Sequence, residues 1–491
     1  MGLGIALPAI LAVRDQGFAS MKDDRAAIKR GRDNWFKKTY GGGKFFRFLE
    51  THPDPSKRIV IGFENVISTP RNERFQKWGV INDPDCRADR NGGPDICKDS
   101  DATGVIGIRK TAGADGKPLY GVSCASCHAG FNPLRPPRDP NEPKWFNIHP
   151  TIGNQYLDSG KIFAANLAAN DVRRLMFAAW PKGTVDTTLL FNDGIMNPGT
   201  ITAFWNLPHR PVFDVGMGAL KSRGGQGGED DVGADLAALR VYTNIGVCFN
   251  ECVASRPGQP IDLAQCRQAC SDFPPENEIQ DMVTFMRSVK APKIRGFGKN
   301  SRLYRRGGSV FAQNCASCHG GSPKIMSTDE VIALTSDPAN TTNACRALSS
   351  NWEAGHIWAA FSSDVYKSRV EAGGRGYRNM PLAGIWSTAP FLHNQSIGDW
   401  AEATASPREQ IQNFERAMRE LLTANRAEKI HVTPVAVGSF PAGTPLQYIF
   451  SRDASSGRLL CDDIVENRGH TYGSTLPESD KDALIHWLRY Q

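Results

Sequence analysis

The clearest alternation of apolar and polar positions lies between residues 301 and 313. Leu303, Val310 and Phe311 recur there at roughly helical spacing within a polar and basic stretch, which predicts an amphipathic helix that runs up to Cys315. Similar patterns predict helices over residues 160–180, 231–243, 278–289 and 479–490. Strand signals are sparse. The pattern therefore predicts a mainly α fold with long loops.

A pentapeptide occurs twice, as Cys124-Ala-Ser-Cys127-His128 and as Cys315-Ala-Ser-Cys318-His319. Cys-x-x-Cys-His is the attachment motif of c-type haem, in which both thiols form thioethers and the histidine binds the iron. A redox Cys-x-x-Cys is expected near a βαβ pattern, which is not visible here. Structural zinc needs four ligands, whereas only the cysteine pair and one histidine repeat. The sequence therefore predicts two covalently bound haem c groups.

The two motifs divide the chain of 491 residues. That length exceeds a single core and suggests two or three domains. A basic stretch over residues 290–299, broken by Pro and Gly, is the best linker candidate. We therefore expect an N-terminal extension over residues 1–114, a first haem domain over 115–290 and a second over 300–491. A loop rich in Pro, Arg and Asp is expected over residues 133–143.

Eight cysteines remain outside the two motifs. Cys86 and Cys97 are expected to form a local bridge, and Cys345 and Cys461 a bridge across the last domain. The other four have the spacing of an antiparallel helical hairpin that pairs Cys248 with Cys270 and Cys252 with Cys266. A zinc site built from these four is the alternative.

Haem attachment of this kind follows export, so we expect a periplasmic or secreted protein. Residues 3–13 form an apolar stretch of signal length, although no Lys or Arg precedes it. This stretch is too short to span a bilayer, and we expect no transmembrane anchor beyond it. The formal net charge is +7, with basic residues crowded between Lys22 and Lys38. We interpret them as a solvated face, or as a docking patch for an acidic redox partner, and expect no nucleic-acid partner.

The second half of the chain resembles a known family. Residues 379–396 (Asn-Met-Pro-Leu-Ala-Gly-Ile-Trp-Ser-Thr-Ala-Pro-Phe-Leu-His-Asn-Gln-Ser) and residues 469–473 (Gly-His-Thr-Tyr-Gly) are similar to signatures of the di-haem cytochrome c peroxidase superfamily, and most of all of its rubber-oxygenase-like branch. Residues 180–186, Asn192-Asp-Gly and Asn197-Pro resemble the same branch more loosely. The resemblance implies two cytochrome-c-like domains that exchange electrons, with His128 and His319 as proximal iron ligands.

The resemblance also suggests distal ligands. For the second haem the late His470 is favoured, with Met380 as the alternative, and His393 is expected at the haem edge or the domain interface. For the first haem His149 is a candidate, and a surface-loop histidine is the other interpretation. If His149 does not bind, the first haem has an open side lined by aromatic residues such as Phe191 or Phe204.

The chain departs from the peroxidase branch at residues 208–216, which lack the stretch that leads to a distal glutamate. Cleavage of peroxide needs general acid–base catalysis. No carboxylate is clearly placed to supply it, so the sequence identifies no catalytic residue. The wider family has a calcium ion between its domains, but no acidic cluster here clearly matches it. Trp205 or Trp386 is a candidate for electron transfer between the haems, although most Trp side chains belong to cores.

Two functions follow from these observations. The first is a di-haem oxidoreductase that activates dioxygen or peroxide at the first haem and relays electrons through the second. The alternative is a non-enzymatic di-haem electron-transfer protein that serves a partner enzyme. The expected partner is accordingly a redox protein or a small-molecule oxidant. Two intact motifs argue against a binding module with vestigial haems.

Overall fold

The computed structural model describes most of the chain outside its first 24 residues and several internal segments. The described residues are 25–52, 55, 58–186, 195–205, 220–222, 275–319, 331–333, 342–346, 348, 368–370, 376–378, 382–453 and 456–491.

Within these ranges the chain forms short and medium helices joined by long irregular segments. The helices are α1 (Arg25–Lys37), α2 (Gly42–Glu50), α3 (Phe63–Ser68), α4 (Arg74–Trp78), α5 (Ala125–His128), α6 (Ser159–Ala164), α7 (Arg173–Ala178), α8 (Glu276–Ser288), α9 (Arg302–Asn314), α10 (Ala316–His319), α11 (Pro407–Leu421), α12 (Leu446–Phe450) and α13 (Glu478–Leu488). Single 3-10 turns lie at Trp145–Asn147, Phe297–Asn300 and Ile385–Ser387.

The strands pair two by two. They are β1 (Cys86–Arg87), β2 (Ile96–Cys97), β3 (Ile108–Ala112), β4 (Pro118–Val122), β5 (Gly130–Phe131), β6 (Ile148–His149), β7 (Thr184–Val185), β8 (Gly199–Thr200), β9 (Leu220–Ser222), β10 (Val331–Ala333), β11 (Ser368–Val370) and β12 (Gly376–Arg378). The antiparallel pairs are β1–β2, β3–β4, β5–β6, β7–β8 and β10–β12, whereas β9 and β11 are parallel.

Two helix pairs organise the described structure. In the first unit α1 packs against α8, and in the second unit α9 packs against α13. Each crossing is closed by a glycine. A Cβ atom on Gly31 would lie 2.0 Å from the Asp281 carbonyl oxygen, and one on Gly307 would lie 2.0 Å from the Ala483 carbonyl oxygen. In both pairs, a glycine therefore allows the two helices to approach each other closely.

Three apolar cores follow from this arrangement. One joins α1 and α8 to the segment around α5 and includes Trp35, Ala125, Phe204 and Met282. A second lies under α9, α11 and α13. The third fills the region between α2 and α7 and includes Val66.

Three of the predicted helices are confirmed with shifts of one or two residues at their ends, as α8, α9 and α13. In α9, Val310 and Phe311 are buried as predicted, whereas Leu303 is 39% exposed. The helix predicted over residues 231–243 lies outside the described residues.

The prediction of one helical stretch over residues 160–180 is wrong in detail, because the structure has two short helices, α6 and α7. Asp171 accepts a hydrogen bond from the Arg173 amide at 2.9 Å and starts α7. The Arg174 side chain donates to the Ala164 and Leu167 carbonyls, which satisfies the end of α6.

The segment predicted as an N-terminal extension shares a core with the first motif. Trp35 on α1 is 1% exposed and lies in the same cluster as Ala125 within the motif and Ala129 directly after it. The boundary predicted at residue 114 therefore cuts through this core. Likewise, the predicted linker is packed, since Ala291 is buried and the Pro292 carbonyl accepts a hydrogen bond from Trp386 Nε1 at 2.8 Å.

Two disulfide predictions are confirmed, Cys86–Cys97 and Cys345–Cys461. The four hairpin cysteines lie outside the described residues. Among the helices that are described, none combines the length and apolar character needed to cross a membrane.

Candidate haem-attachment sites

The first motif lies on a tight turn that the preceding hairpin presents. The strands β3 and β4 pair along their length, and the chain then turns into α5, where the His128 amide donates to the Cys124 carbonyl at 2.9 Å. The turn approaches Gly107 so closely that a Cβ there would lie 2.1 Å from the Ser126 nitrogen. Ser123 Oγ donates to the Phe36 carbonyl at 3.0 Å and ties the turn to the end of α1.

The His128 ring is oriented for metal binding. Its Nδ1 lies 2.8 Å from the carbonyl oxygen of Thr202. A donor at Nδ1 leaves the lone pair on Nε2, which is the usual arrangement of a ligating histidine and its supporting carbonyl. Burial lowers the pKa of His128 to about 4, although the Thr202 carbonyl opposes the shift. The imidazole is therefore neutral at pH 7, as iron binding requires.

Aromatic side chains surround this imidazole. The Phe204 ring lies 4.6 Å from the His128 ring between centroids, and the Trp35 ring lies 6.0 Å away. Trp35 in turn contacts Phe204 edge to face and Phe285 at a tilt. Within the described part of the chain, Trp35 Nε1 is buried without a hydrogen-bond partner. The aromatic rings fit the apolar face of a porphyrin, and the Trp35 N–H fits a polar group at its edge.

The sequence analysis did not identify Glu278, a carboxylate that lies near this site. Burial, followed by the charge of Glu278, strongly raises the pKa of Tyr40, and the Cys124 thiol adds to the shift. Tyr40 is therefore a neutral phenol close to Cys124. One oxygen of Glu278 has no hydrogen-bond partner among the described residues, and the other lies 3.4 Å from Lys38 Nζ. Only the folding of α8 against α1 brings Tyr40 and Glu278 together, so sequence spacing offered no signal.

The second motif is reached directly from α9. Ser301 caps this helix by accepting a hydrogen bond from the Tyr304 amide, and the helix ends at Cys315, whose carbonyl accepts from the His319 amide at 3.0 Å. All four motif cysteines stay out of the disulfides. They are therefore available for thioether bonds.

His470 faces His319. Their ring centroids are 6.3 Å apart with an angle of 49° between the planes. Two imidazoles that bind one iron from opposite sides have centroids about 6 Å apart, since each metal–nitrogen bond is about 2.0 Å and each nitrogen lies about 1.1 Å from its ring centre. Burial, and then the proximity of His319, lowers the pKa of His470 to about 4. Two imidazoles with this separation fit an iron between them.

His149 lies elsewhere in the first unit. Its Nε2 is 3.2 Å from the Lys290 carbonyl oxygen, and its Nδ1 is 3.5 Å from the Thr151 amide nitrogen. The Trp205 ring packs edge to face on it at 5.1 Å. Burial lowers the pKa of His149 to about 4. Its role as a distal ligand stays a prediction, and these contacts count against it.

His393 lies where the two units meet. Its carbonyl accepts a hydrogen bond from the Thr200 amide at 2.6 Å, which joins β8 to the second unit. Burial and the nearby Arg346 lower the pKa of His393 to about 3. The other two predicted residues, Met380 and Phe191, lie outside the described residues.

The two tryptophans proposed for electron transfer also bridge the units. Trp205 Nε1 donates to the Ala383 carbonyl at 2.7 Å, and Trp386 donates to Pro292. For calcium, the described ranges contain no group of three or more His, Cys, Asp or Glu side chains arranged to hold a metal ion. The calcium ion stays a prediction without a site.

Comparison with known families gives one match. Residues 376–407 match a model described as RoxA-like, cytochrome c-like. The matched segment contains the whole 379–396 signature, including His393. It supports a cytochrome c related to RoxA, with covalently bound haem c. No curated protein matches the chain.

Proposed function

We propose that this chain is a di-haem c-type oxidoreductase whose two haems do different work. Cys124 and Cys127 would hold the first haem, with His128 as a ligand of its iron. Cys315 and Cys318 would hold the second, with His319 and His470 as ligands. The first haem would supply the reaction with dioxygen or peroxide, and the second would supply electron transfer. The observation that carries the proposal is the difference between the two histidines: His319 has an imidazole opposite it, and His128 has aromatic rings around it.

The chain itself sets this difference. In the first unit the Thr202 carbonyl fixes the tautomer of His128. The described ring contacts of His128 are with Trp35 and Phe204, and none of them is with another histidine. Haem supplies electron transfer and the reaction with dioxygen or peroxide when bound. The protein would supply a neutral imidazole, a dry surrounding and, in our proposal, a proton on the Tyr40 phenol beside Cys124.

In the second unit the chain would supply two ligands, His319 and His470. His470 is uncharged at pH 7 because its pKa is lowered to about 4. An iron with two protein ligands has no position left for a small molecule, so this haem suits electron transfer. Trp205 donates to the Ala383 carbonyl of the second unit, and Trp386 donates to the Pro292 carbonyl of the linker. In this proposal they flank the region that electrons would cross.

The proposal includes the cellular location and the partners. The two disulfides and the thioether chemistry of haem c favour the periplasm or the cell exterior. Electrons then come from, or go to, a redox protein or a small molecule in that compartment.

Carbon monoxide binding to the fully reduced protein tests this assignment. We expect one CO per chain, bound at the first haem, together with oxygen uptake when an electron donor is supplied. His470→Ala should raise the stoichiometry to two. His431→Ala, which changes a half-buried histidine of the same unit, should leave it at one. No CO binding in the wild-type protein would refute the enzyme and favour the non-enzymatic electron carrier.

A further inference from the structure

We propose that Arg426 is a positioning residue that holds His470 opposite His319. The inference deepens the proposed function and rests on its second haem. Arg426 follows the end of α11 and is distant from His470 in sequence. It lies close enough to His470 for its charge to act on the imidazole.

Among the described residues, the partners of the Arg426 side chain are all backbone carbonyls, and they belong to two segments. Its Nη1 donates to the Leu421 carbonyl at 2.7 Å, at the end of α11. Its Nε and Nη2 lie 3.3 and 3.2 Å from the Asn467 carbonyl, and Nη2 also donates to the Gly469 carbonyl. The Gly469 carbonyl belongs to the peptide that leads directly into His470. The planar guanidinium therefore fixes the peptide plane just before the ligand.

Asn467 also links the segment that follows α11 to the segment that leads into His470. Its side chain accepts from the Lys429 amide at 2.9 Å and donates to the Ala427 carbonyl at 2.8 Å, and the residue is 2% exposed. The Glu466 amide adds a bond to the Lys429 carbonyl at 2.9 Å. Residues 426–429 and 466–469 thus form a reciprocal clamp, which we call the ligand clamp.

The backbone of the loop explains why a clamp is needed. Gly469 has φ 79° and His470 has φ 48°. Glycine adopts the left-handed region without steric cost, but a histidine there is strained and persists only when its surroundings determine it. Without Arg426 the peptide before His470 would lose the donor that binds its carbonyl. The imidazole would then no longer be held at the position that faces His319.

The charge of Arg426 has a second consequence. In the described part of the chain no carboxylate forms a salt bridge with Arg426, since the neighbouring Glu420 pairs with Lys429 at 3.1 Å. A positive charge close to an iron centre favours the reduced state. Arg426 should therefore also raise the reduction potential of the second haem.

A set of variants of the full-length haem-loaded protein separates these effects. Arg426→Gln removes both the planar guanidinium and its charge, whereas Arg426→Lys keeps a charge without the guanidinium. Arg416→Gln, which removes an exposed arginine from α11, is the control. The readouts are the low-spin electron paramagnetic resonance signal of the second haem, its affinity for added imidazole and its midpoint potential. A residue that only capped α11 would change the unfolding temperature and none of these three.

We expect Arg426→Gln to lose much of the low-spin signal, which added imidazole restores. Its apparent affinity for imidazole should rise at least about tenfold, equivalent to about 1.4 kcal/mol of lost competition from His470. Its midpoint potential should fall. Arg426→Lys should gain imidazole affinity while its potential stays closer to that of the wild type. Arg416→Gln should match the wild type in all three.

Wild-type spin state, imidazole affinity and potential in Arg426→Gln would overturn the inference. If that variant does not accumulate, Arg426→Lys decides, and unchanged imidazole binding in it counts against the clamp. His470→Ala separates this failure from a failure of the proposed function. If His470→Ala keeps the low-spin signal, the second haem has another ligand. If it loses the signal while Arg426→Gln does not, only the role of Arg426 is wrong.

Discussion

The two units that contain the Cys-x-x-Cys-His motifs have similar helical frames and different surroundings for their histidines. In each unit a long helix crosses a second one at a glycine, Gly31 in α1 and Gly307 in α9. In the second unit α9 runs straight into the Cys315 motif. In the first unit the chain leaves α1 and forms α2 to α4 and the β1–β2 and β3–β4 hairpins before it returns at Cys124.

The histidines differ more than the frames do. The Nδ1 atom of His128 contacts the Thr202 carbonyl, and the Phe204 ring packs against His128. His319, in contrast, faces the imidazole of His470. Thr202 and Phe204 come from one irregular segment, and His470 comes from another. The helices therefore provide a scaffold that both units share, and the irregular segments decide what each histidine can do.

The disulfides offer the largest test of this comparison. Cys345–Cys461 closes a loop of 116 residues in the second unit, and Cys86–Cys97 closes one of 11 in the first. By loop entropy, the Cys345→Ala/Cys461→Ala double variant should lose about 5 kcal/mol and Cys86→Ala/Cys97→Ala about 3 kcal/mol. Denaturant unfolding measures both. Equal losses would mean that the second unit does not depend on its long-range closure.

The buried histidines at the packed linker offer a pH test. His149 in the first unit contacts the Lys290 carbonyl, and the less buried His486 in the second lies 3.4 Å from the Gly298 carbonyl. Burial lowers the pKa of His149 from an ordinary 6.5 to about 4. Between these values the unfolded chain binds the extra proton and the folded chain does not. The free energy of unfolding should therefore fall as the pH drops from 6.5 towards 4.

His149→Gln should remove a share of this acid sensitivity on the order of 3 kcal/mol. His486→Gln should remove less. Unfolding curves at pH 7 and pH 4.5 measure the difference. Equal acid sensitivity in the wild-type protein and His149→Gln would contradict the assignment of a buried neutral imidazole.

The glycine crossings test the shared frame directly. Gly307→Ala and Gly31→Ala each place a Cβ 2.0 Å from a backbone oxygen of the partner helix. Each should lose about 2 kcal/mol, since overpacking costs about 1–3 kcal/mol and alanine regains part of it in helix propensity. The neighbouring Gly308→Ala is the control, because its Cβ would lie 3.1 Å from the Trp487 side chain. If Gly308→Ala lowers the unfolding temperature as much as Gly307→Ala does, the close helix crossing is not the cause of the lost stability.

The helix cap of α9 gives the smallest effect. Ser301 Oγ accepts from the Tyr304 amide at 3.0 Å, so Ser301→Ala should cost about 1 kcal/mol. Ser309→Ala, at an exposed position inside the same helix, should be close to neutral. Comparison of their melting temperatures checks this, and equal temperatures would show that α9 does not depend on its cap.

Local regularity explains what the sequence could predict. The helical spacing of Val310 and Phe311 and the repeated motifs are local patterns, so the sequence predicted α9 correctly and identified the two candidate attachment sites. Two disulfides followed from counting the remaining cysteines. The favoured distal ligand, His470, came from the family resemblance, and the 6.3 Å ring separation supports it.

What the sequence missed depends on contacts between distant segments. Nothing local links Trp35 to His128, Thr202 to His128 Nδ1 or Arg426 to the Gly469 carbonyl. The packed linker was missed for the same reason, since a stretch broken by Pro and Gly has no periodicity to show which side it buries. These contacts exist only once the helix pairs have brought the irregular segments together.

The electron paramagnetic resonance spectrum of the ferric protein as isolated tests the central claim most directly. The account predicts a high-spin signal from the haem bound to His128 and a low-spin signal from the haem between His319 and His470. The low-spin signal should disappear in His470→Ala. Two low-spin signals, or a low-spin signal that survives in His470→Ala, would contradict the account.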